Sequence, residues 1–92
     1  MPPQSDLATI LKAKAGDAMA FRQLVETYQS YLYSVAFRYL GVMYEAEDAV
    51  QETFVKTWKN LHKYRSEIKF STWVYKILIN HCLDVKKQRV FR

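Results

Sequence analysis

Glycine and proline are scarce in this chain of 92 residues, with two of each, and both prolines sit at Pro2 and Pro3. So little turn punctuation favours a few long helices over many short elements. A single cysteine, Cys82, excludes an internal disulfide and suits a reducing cytoplasm. No apolar run approaches the ~18 residues that a membrane span requires, and the N-terminus carries no signal-peptide pattern. The expectation is a soluble, cytoplasmic chain with no membrane insertion. What is plentiful is apolar surface: half of the residues are hydrophobic and 15% are aromatic, which predicts a folded globule rather than disorder. At this length the chain makes one domain, residues 1–92, around one core.

Acidic residues are nearly absent from the second part of the chain. Residues 1–52 hold four basic and seven acidic side chains, a net of minus three, whereas residues 53–92 hold ten and two, a net of plus eight. A split of this kind predicts one surface for a polyanion and a separate one for another partner.

In chain order, residues 1–4 read as a flexible tail. Ser5 is placed to cap a short helix from about Asp6 to Ala15, and Gly16 to end it. Asp17 caps a second helix, in which Phe21, Leu24, Val25, Tyr28, Leu32, Val35 and Tyr39 recur at steps of three and four, closed by Gly41. Val42 to Glu45 reads as a connector to a third helix running to about Leu61. Residues His62 to Phe70 lose the periodicity and read as a basic loop. Ser71 is placed to cap a last helix, about Thr72 to Lys87, and Val90 to Arg92 read as a frayed end or a truncation point. No segment alternates, so no strand is predicted. The fold class is all-α: four helices with short links and a basic loop before the last one.

The third helix has two faces that want different things. Ala46, Ala49, Val50, Thr53, Phe54, Thr57 and Leu61 share one arc, the pattern of a core-facing helix. The other arc carries Asp48, Glu52, Val55 and Lys59, with Gln51 beside Trp58. Asp48 and Glu52 are like charges four apart, a spacing that costs a helix ~0.2 to 0.5 kcal/mol, and Val55 stands among them with nothing to cover it. An acidic, hydrogen-bonding strip with one apolar point fits a docking surface for a basic partner. Ordinary helix electrostatics give a second reading, with Asp48 near the helix start and Glu52 pairing forward to Lys56.

On the last helix, Val74, Ile77, Leu78, His81, Cys82 and Val85 cover more than half the circumference, as for a helix at the centre of a bundle. The remainder is a narrow strip of Trp73, Lys76, Asn80, Asp84 and Lys87. Lysine and asparagine suit phosphate and base-edge contacts. Trp73 has two readings, a stacking plane or a core anchor. In the loop ahead, Tyr64 and Phe70 are interleaved with Lys63, Arg65 and Lys69, and Ser66, Ser71 and Thr72 add small hydrogen-bonding groups. Stacking of an unpaired base on an aromatic ring contributes about 1 to 3 kcal/mol, and lysines hold the strand through counterion release.

Taken together, DAVQETFVKTWKNL, KYRSEIKFSTWVYKILIN and CLDVKK resemble region 2 of bacterial sigma factors of the extracytoplasmic-function (ECF) group, over nearly the whole chain. The resemblance implies that the helix holding Asp48, Gln51, Glu52 and Val55 docks on the clamp helices of the largest catalytic subunit of core RNA polymerase. It implies that Tyr64, Arg65, Lys69, Phe70, Ser71 and Thr72 fall in a base-capturing loop, and that Trp73, Lys76 and Asn80 lie on a reading helix, with Lys87 further along the same strip. Loop and helix would melt the promoter and hold the non-template strand of its minus-ten element as single-stranded DNA. Many family members carry Gly after F-R in this loop, where this chain has Tyr64, Arg65 and Ser66. Family members commonly have an anti-sigma factor as a further partner. They also carry a region 4, so the chain is expected to be a fragment or an isolated domain.

No cofactor is expected and no enzymatic activity: the sequence shows no nucleophile, acid–base pair or phosphate-binding glycine loop. His62, His81 and Cys82 have no spacing that brings them to one metal. Two rivals remain, a duplex-binding helix-turn-helix regulator and a helical protein-binding adaptor. Against the first, the predicted link before the last helix exceeds a three to four residue turn.

Overall fold

A computed structural model describes residues 2–90. Four helices account for the architecture: α1, Leu7–Lys14; α2, Ala18–Leu40; α3, Met43–Asn60; and α4, Phe70–Val90, with a single 3-10 turn at Leu61–Lys63. No strand occurs among the described residues. No helix there is long and apolar enough to cross a membrane. The predicted tail residue Met1 and the end residues Phe91 and Arg92 lie outside the described residues.

The central element is α2, which packs against the other three helices, whereas α4 packs on α2 and α3. The cause is legible in its register. Ala20, Leu24, Tyr28, Leu32, Ala36 and Leu40 are all buried, each four residues from the last. Four residues turn 400°, so this stripe advances about 40° per step and winds around the helix. A winding stripe meets different neighbours along its length. On α3 the buried arc is Ala46, Ala49, Val50, Thr53 and Thr57. The two threonines fit an apolar interior because Thr53 Oγ1 donates to the Ala49 carbonyl and Thr57 Oγ1 to the Thr53 carbonyl, each at 2.7 Å. Val74, Leu78 and Cys82 complete the core from α4. Burial pushes the Cys82 thiol pKa up, with a smaller opposing pull from Lys86.

Several helix boundaries differ from the sequence expectation for identifiable reasons. The cap of α1 is Asp6, whose carboxylate accepts from the Thr9 amide at 2.7 Å, while the Ser5 hydroxyl turns inward to Tyr28. Asp17 does cap α2, accepting from the Met19 and Ala20 amides, and Gly41 closes it in the left-handed conformation at φ 71°. Met43 to Glu45 are the first turn of α3 rather than a connector, so only Gly41 and Val42 join the two helices. Ser71 is no cap: α4 begins two residues before the expected Thr72, at Phe70, and Ser71 is buried within its first turn. The far end of α4 extends past Lys87 because Arg89 is tied down. Its guanidinium donates to the Leu40 carbonyl at 2.9 Å and pairs with Glu45, clamping α4 onto the α2–α3 junction.

Candidate nucleic-acid interface

Asp48, Gln51, Glu52 and Val55 are all exposed on α3, and Val55 leaves 46% of its surface uncovered. An open cleft of about 670 Å³ runs beside them between α2 and α3, where Gln29 and Tyr33 face Glu47, Gln51 and Phe54. Trp58 stands at one end of this face, also exposed, with its ring edge-on to Phe21 at 4.8 Å. The periodicity of α3 identified its own half of the face. The α2 half, Gln29 and Tyr33, had no local signal because it depends on how two helices dock.

On α4, Thr72, Lys76, Asn80 and Lys87 are among the exposed positions, and Lys69 precedes them, also exposed. At 100° per residue these five fall within about 80° of one another, opposite the buried arc of Val74, Leu78 and Cys82. Asp84 is exposed at the edge of the row.

The loop departs from the expectation of an open aromatic platform. Arg65 and Lys69 are exposed, but Tyr64 and Phe70 are 3% and 5% exposed and Ser71 is buried. Tyr64, Phe70 and Trp73 pack on one another with ring centroids 5.3 to 5.8 Å apart, and Phe70 meets Tyr28 at 5.4 Å. These rings are core members because the loop is short and its flanking aromatics have no other apolar surface to cover. Trp73 stands between its two readings, partly buried against the core.

Hydrogen bonds fix the loop's shape. The Tyr64 hydroxyl donates to the Ile68 carbonyl, closing residues 64–68 into a ring, and Lys14 Nζ donates to the Tyr64 carbonyl at 2.7 Å. Burial, with Tyr28 and Glu67 nearby, raises the Tyr64 phenol pKa, so the hydroxyl keeps its proton. Beneath the loop lies a cleft of about 370 Å³, in the size range of small-ligand sites, ~300 to 1,000 Å³. Tyr64, Ser66, Lys69 and Phe70 line one side; Ser5 and Tyr28 are among the residues on the other. The buried aromatics therefore line a recess rather than offer open faces to solvent.

The two helices that carry the predicted surfaces touch through a residue outside the exposed row, since His81 is turned about 100° around α4 from Asn80. Asp48 Oδ2 lies 3.9 Å from Nε2 of His81, the residue that follows Asn80 on α4. No group of three or more metal-ligating side chains comes together among the described residues.

Sigma-70 region 2 matches residues 24–91 of this sequence. The chain belongs to that family. It is 37% identical over 81 residues to the ECF RNA polymerase sigma factor SigW of Bacillus subtilis, covering 87% of this chain and 43% of that protein. With the ECF RNA polymerase sigma-E factor of Haemophilus influenzae it shares 34% identity over 76 residues, 83% of this chain and 40% of that one. The chain thus spans about two fifths of the length of these curated relatives. Among solved structures, an engineered region 2 of sigmaE, determined by NMR in complex with GTAAAA, superposes with a TM-score of 0.84 at 32% identity. That match covers 92% of this chain and 88% of the other. Region 2 of an ECF sigma factor accounts for the four-helix fold, and the family comprises transcription initiation factors rather than enzymes.

Proposed function

We propose that this region 2 domain docks on core RNA polymerase in the cytoplasm through the exposed face of α3, and captures the non-template strand of the promoter minus-ten element as single-stranded DNA. One observation carries the second half: Lys69, the first residue of the exposed row Lys69, Thr72, Lys76, Asn80 and Lys87, also lines the cleft under the loop. A row of cations interrupted by hydrogen-bonding side chains suits a backbone track, and a recess edged by Tyr64 and Phe70 suits one extruded base. The relative bound to GTAAAA supports the same reading.

The mechanism is strand capture. Opening a base-pair step costs on the order of 1.4 kcal/mol in lost stacking. Holding the extruded base against Tyr64 and Phe70, with the adjoining phosphates on Lys69, Lys76 and Lys87, offsets that cost. Arg65 and Thr72 flank the strand, Trp73 backs the pocket, Ser71 lines it, and Asn80 meets a base edge or phosphate. On α3, Asp48, Gln51 and Glu52 meet basic and polar groups of the polymerase clamp helices around Val55 as the apolar contact. Covering this face would also silence the domain, as an anti-sigma factor partner requires.

The test is the salt dependence of binding to a single-stranded minus-ten oligonucleotide. Each of Lys69→Gln, Lys76→Gln and Lys87→Gln is expected to reduce the slope of log K against log salt by about 0.7, the single-strand value per phosphate contact. Slopes unchanged in all three variants would overturn the backbone track.

A further inference from the structure

The cleft under the loop has a wall that the loop does not supply. Gln4, Ser5 and Leu7 line it together with Tyr28, facing Tyr64, Lys69 and Phe70. Ser5 Oγ and the Tyr28 hydroxyl are 3.0 Å apart, and either oxygen is able to donate. Tyr28 is 1% exposed and its ring lies against Phe70, so its hydroxyl is fixed in place. Ser5 is half-buried and tethered to it.

Two hydroxyls joined by one hydrogen bond leave one hydrogen and several lone pairs free. A fixed donor and acceptor side by side is what the edge of a nucleobase requires of its reader. On the loop side the Tyr64 hydroxyl hydrogen is committed to Ile68 and the Tyr64 carbonyl to Lys14, and the polar side chains that line the cleft there are Ser66, Lys69 and Ser71. The Gln4 amide, which has both donors and an acceptor, stands at the rim of the same wall.

We infer that the segment ahead of α1 is a specificity element: Ser5, anchored by Tyr28 and assisted by Gln4, reads the edge of the base held in the cleft. This rests on the reading of the cleft as a base pocket. The loop and α4 then supply affinity, and the segment at Gln4–Ser5 supplies discrimination at one position of the strand. Such a division follows from the chemistry, since phosphate contacts position a strand while base-edge contacts select its sequence.

The test uses the full chain and labelled single-stranded GTAAAA with every single-base variant of it, read by fluorescence anisotropy at fixed salt. Ser5→Ala is expected to shrink the preference at one position by about fivefold to tenfold, the worth of one hydrogen bond, and to leave the other positions and the salt slope unchanged. Gln4→Ala is expected to act at the same position to a smaller extent, and Ser5→Thr, which keeps the hydroxyl, to restore the preference. Unchanged preferences in Ser5→Ala and Gln4→Ala, with the wild type binding normally, would overturn the inference alone. So would a uniform loss of affinity for every oligonucleotide accompanied by a lower Tm, which is the mark of a purely structural role. Failure of the wild type to bind any of these strands would instead remove the base pocket itself.

Discussion

Asp48 of α3 and His81 of α4 approach to 3.9 Å, carboxylate oxygen to imidazole Nε2, with the Asp48 side chain 66% exposed and that of His81 16%. The contact is too long for a hydrogen bond, and His81 Nε2 has no other partner among the described residues. Its place matters more than its strength. It ties the exposed face of α3 to α4 at a position turned about 100° around that helix from Asn80, so a protein gripping α3 at Asp48 would leave the Lys69–Lys87 row of α4 uncovered.

Docking is expected to depend on exposed side chains that contribute little to the fold. Asp48→Ala combined with Gln51→Ala should weaken binding to core polymerase by about tenfold or more, the loss of one or two interfacial polar contacts. Helicity should be unchanged, as for surface substitutions generally. Equilibrium binding and circular dichroism on the same variants check both statements. Undiminished polymerase binding by the double variant would remove the docking face.

Phe70 and Lys69 are adjacent in sequence and opposite in role. Phe70 is buried against Tyr28, Tyr64 and Trp73, so Phe70→Ala should cost ~3 to 5 kcal/mol of stability. Lys69→Ala should leave stability within ~0.5 kcal/mol and weaken strand binding. Urea denaturation of the two variants separates them, and a fully stable Phe70→Ala protein would show that the ring is not part of the core.

At the other end of α4, Arg89 holds the Leu40 carbonyl and the Glu45 carboxylate together. Arg89→Gln should cost about 1 to 3 kcal/mol, the range for a charge-assisted hydrogen bond left unmade. The loss should be local, with amide exchange quickening in the last turns of α4 and at the α2–α3 junction. Uniform exchange changes throughout the domain would contradict a clamp.

Acid should act on α1. The Thr9 amide and hydroxyl hold the Asp6 carboxyl below its ordinary value near 3.8. A depressed carboxylate pKa contributes stability that is present above the unfolded value and lost as pH falls through the folded one. Below about pH 4, the protection of the Thr9 amide and of α1, taken relative to the intrinsic exchange rate at each pH, should therefore fall. Asp6→Asn should abolish that pH dependence.

What the sequence revealed and what it hid divide along a physical line. Helix count and the Asp17 and Gly41 boundaries were legible because caps and periodicity act within a few residues. The exposed strip of α3 and the row on α4 were legible for the same reason. Tyr64 and Phe70 were not, since an aromatic beside lysines in a short loop has the same local pattern whether it stacks on a base or seals a core. Ser5 looked like a cap because the Tyr28 hydroxyl that draws it inward is 23 residues away. The Arg89 clamp and the Asp48–His81 contact likewise join residues more than 30 positions apart, beyond the reach of any periodicity.

The most direct measurement of strand capture compares the affinity of the domain for a minus-ten oligonucleotide as a single strand and as a duplex, at one salt concentration. Tighter binding to the single strand, by about tenfold or more, is the predicted result, since the duplex must first give up stacking at the captured base. Equal or tighter binding to the duplex would contradict it and would favour a conventional duplex-reading helix.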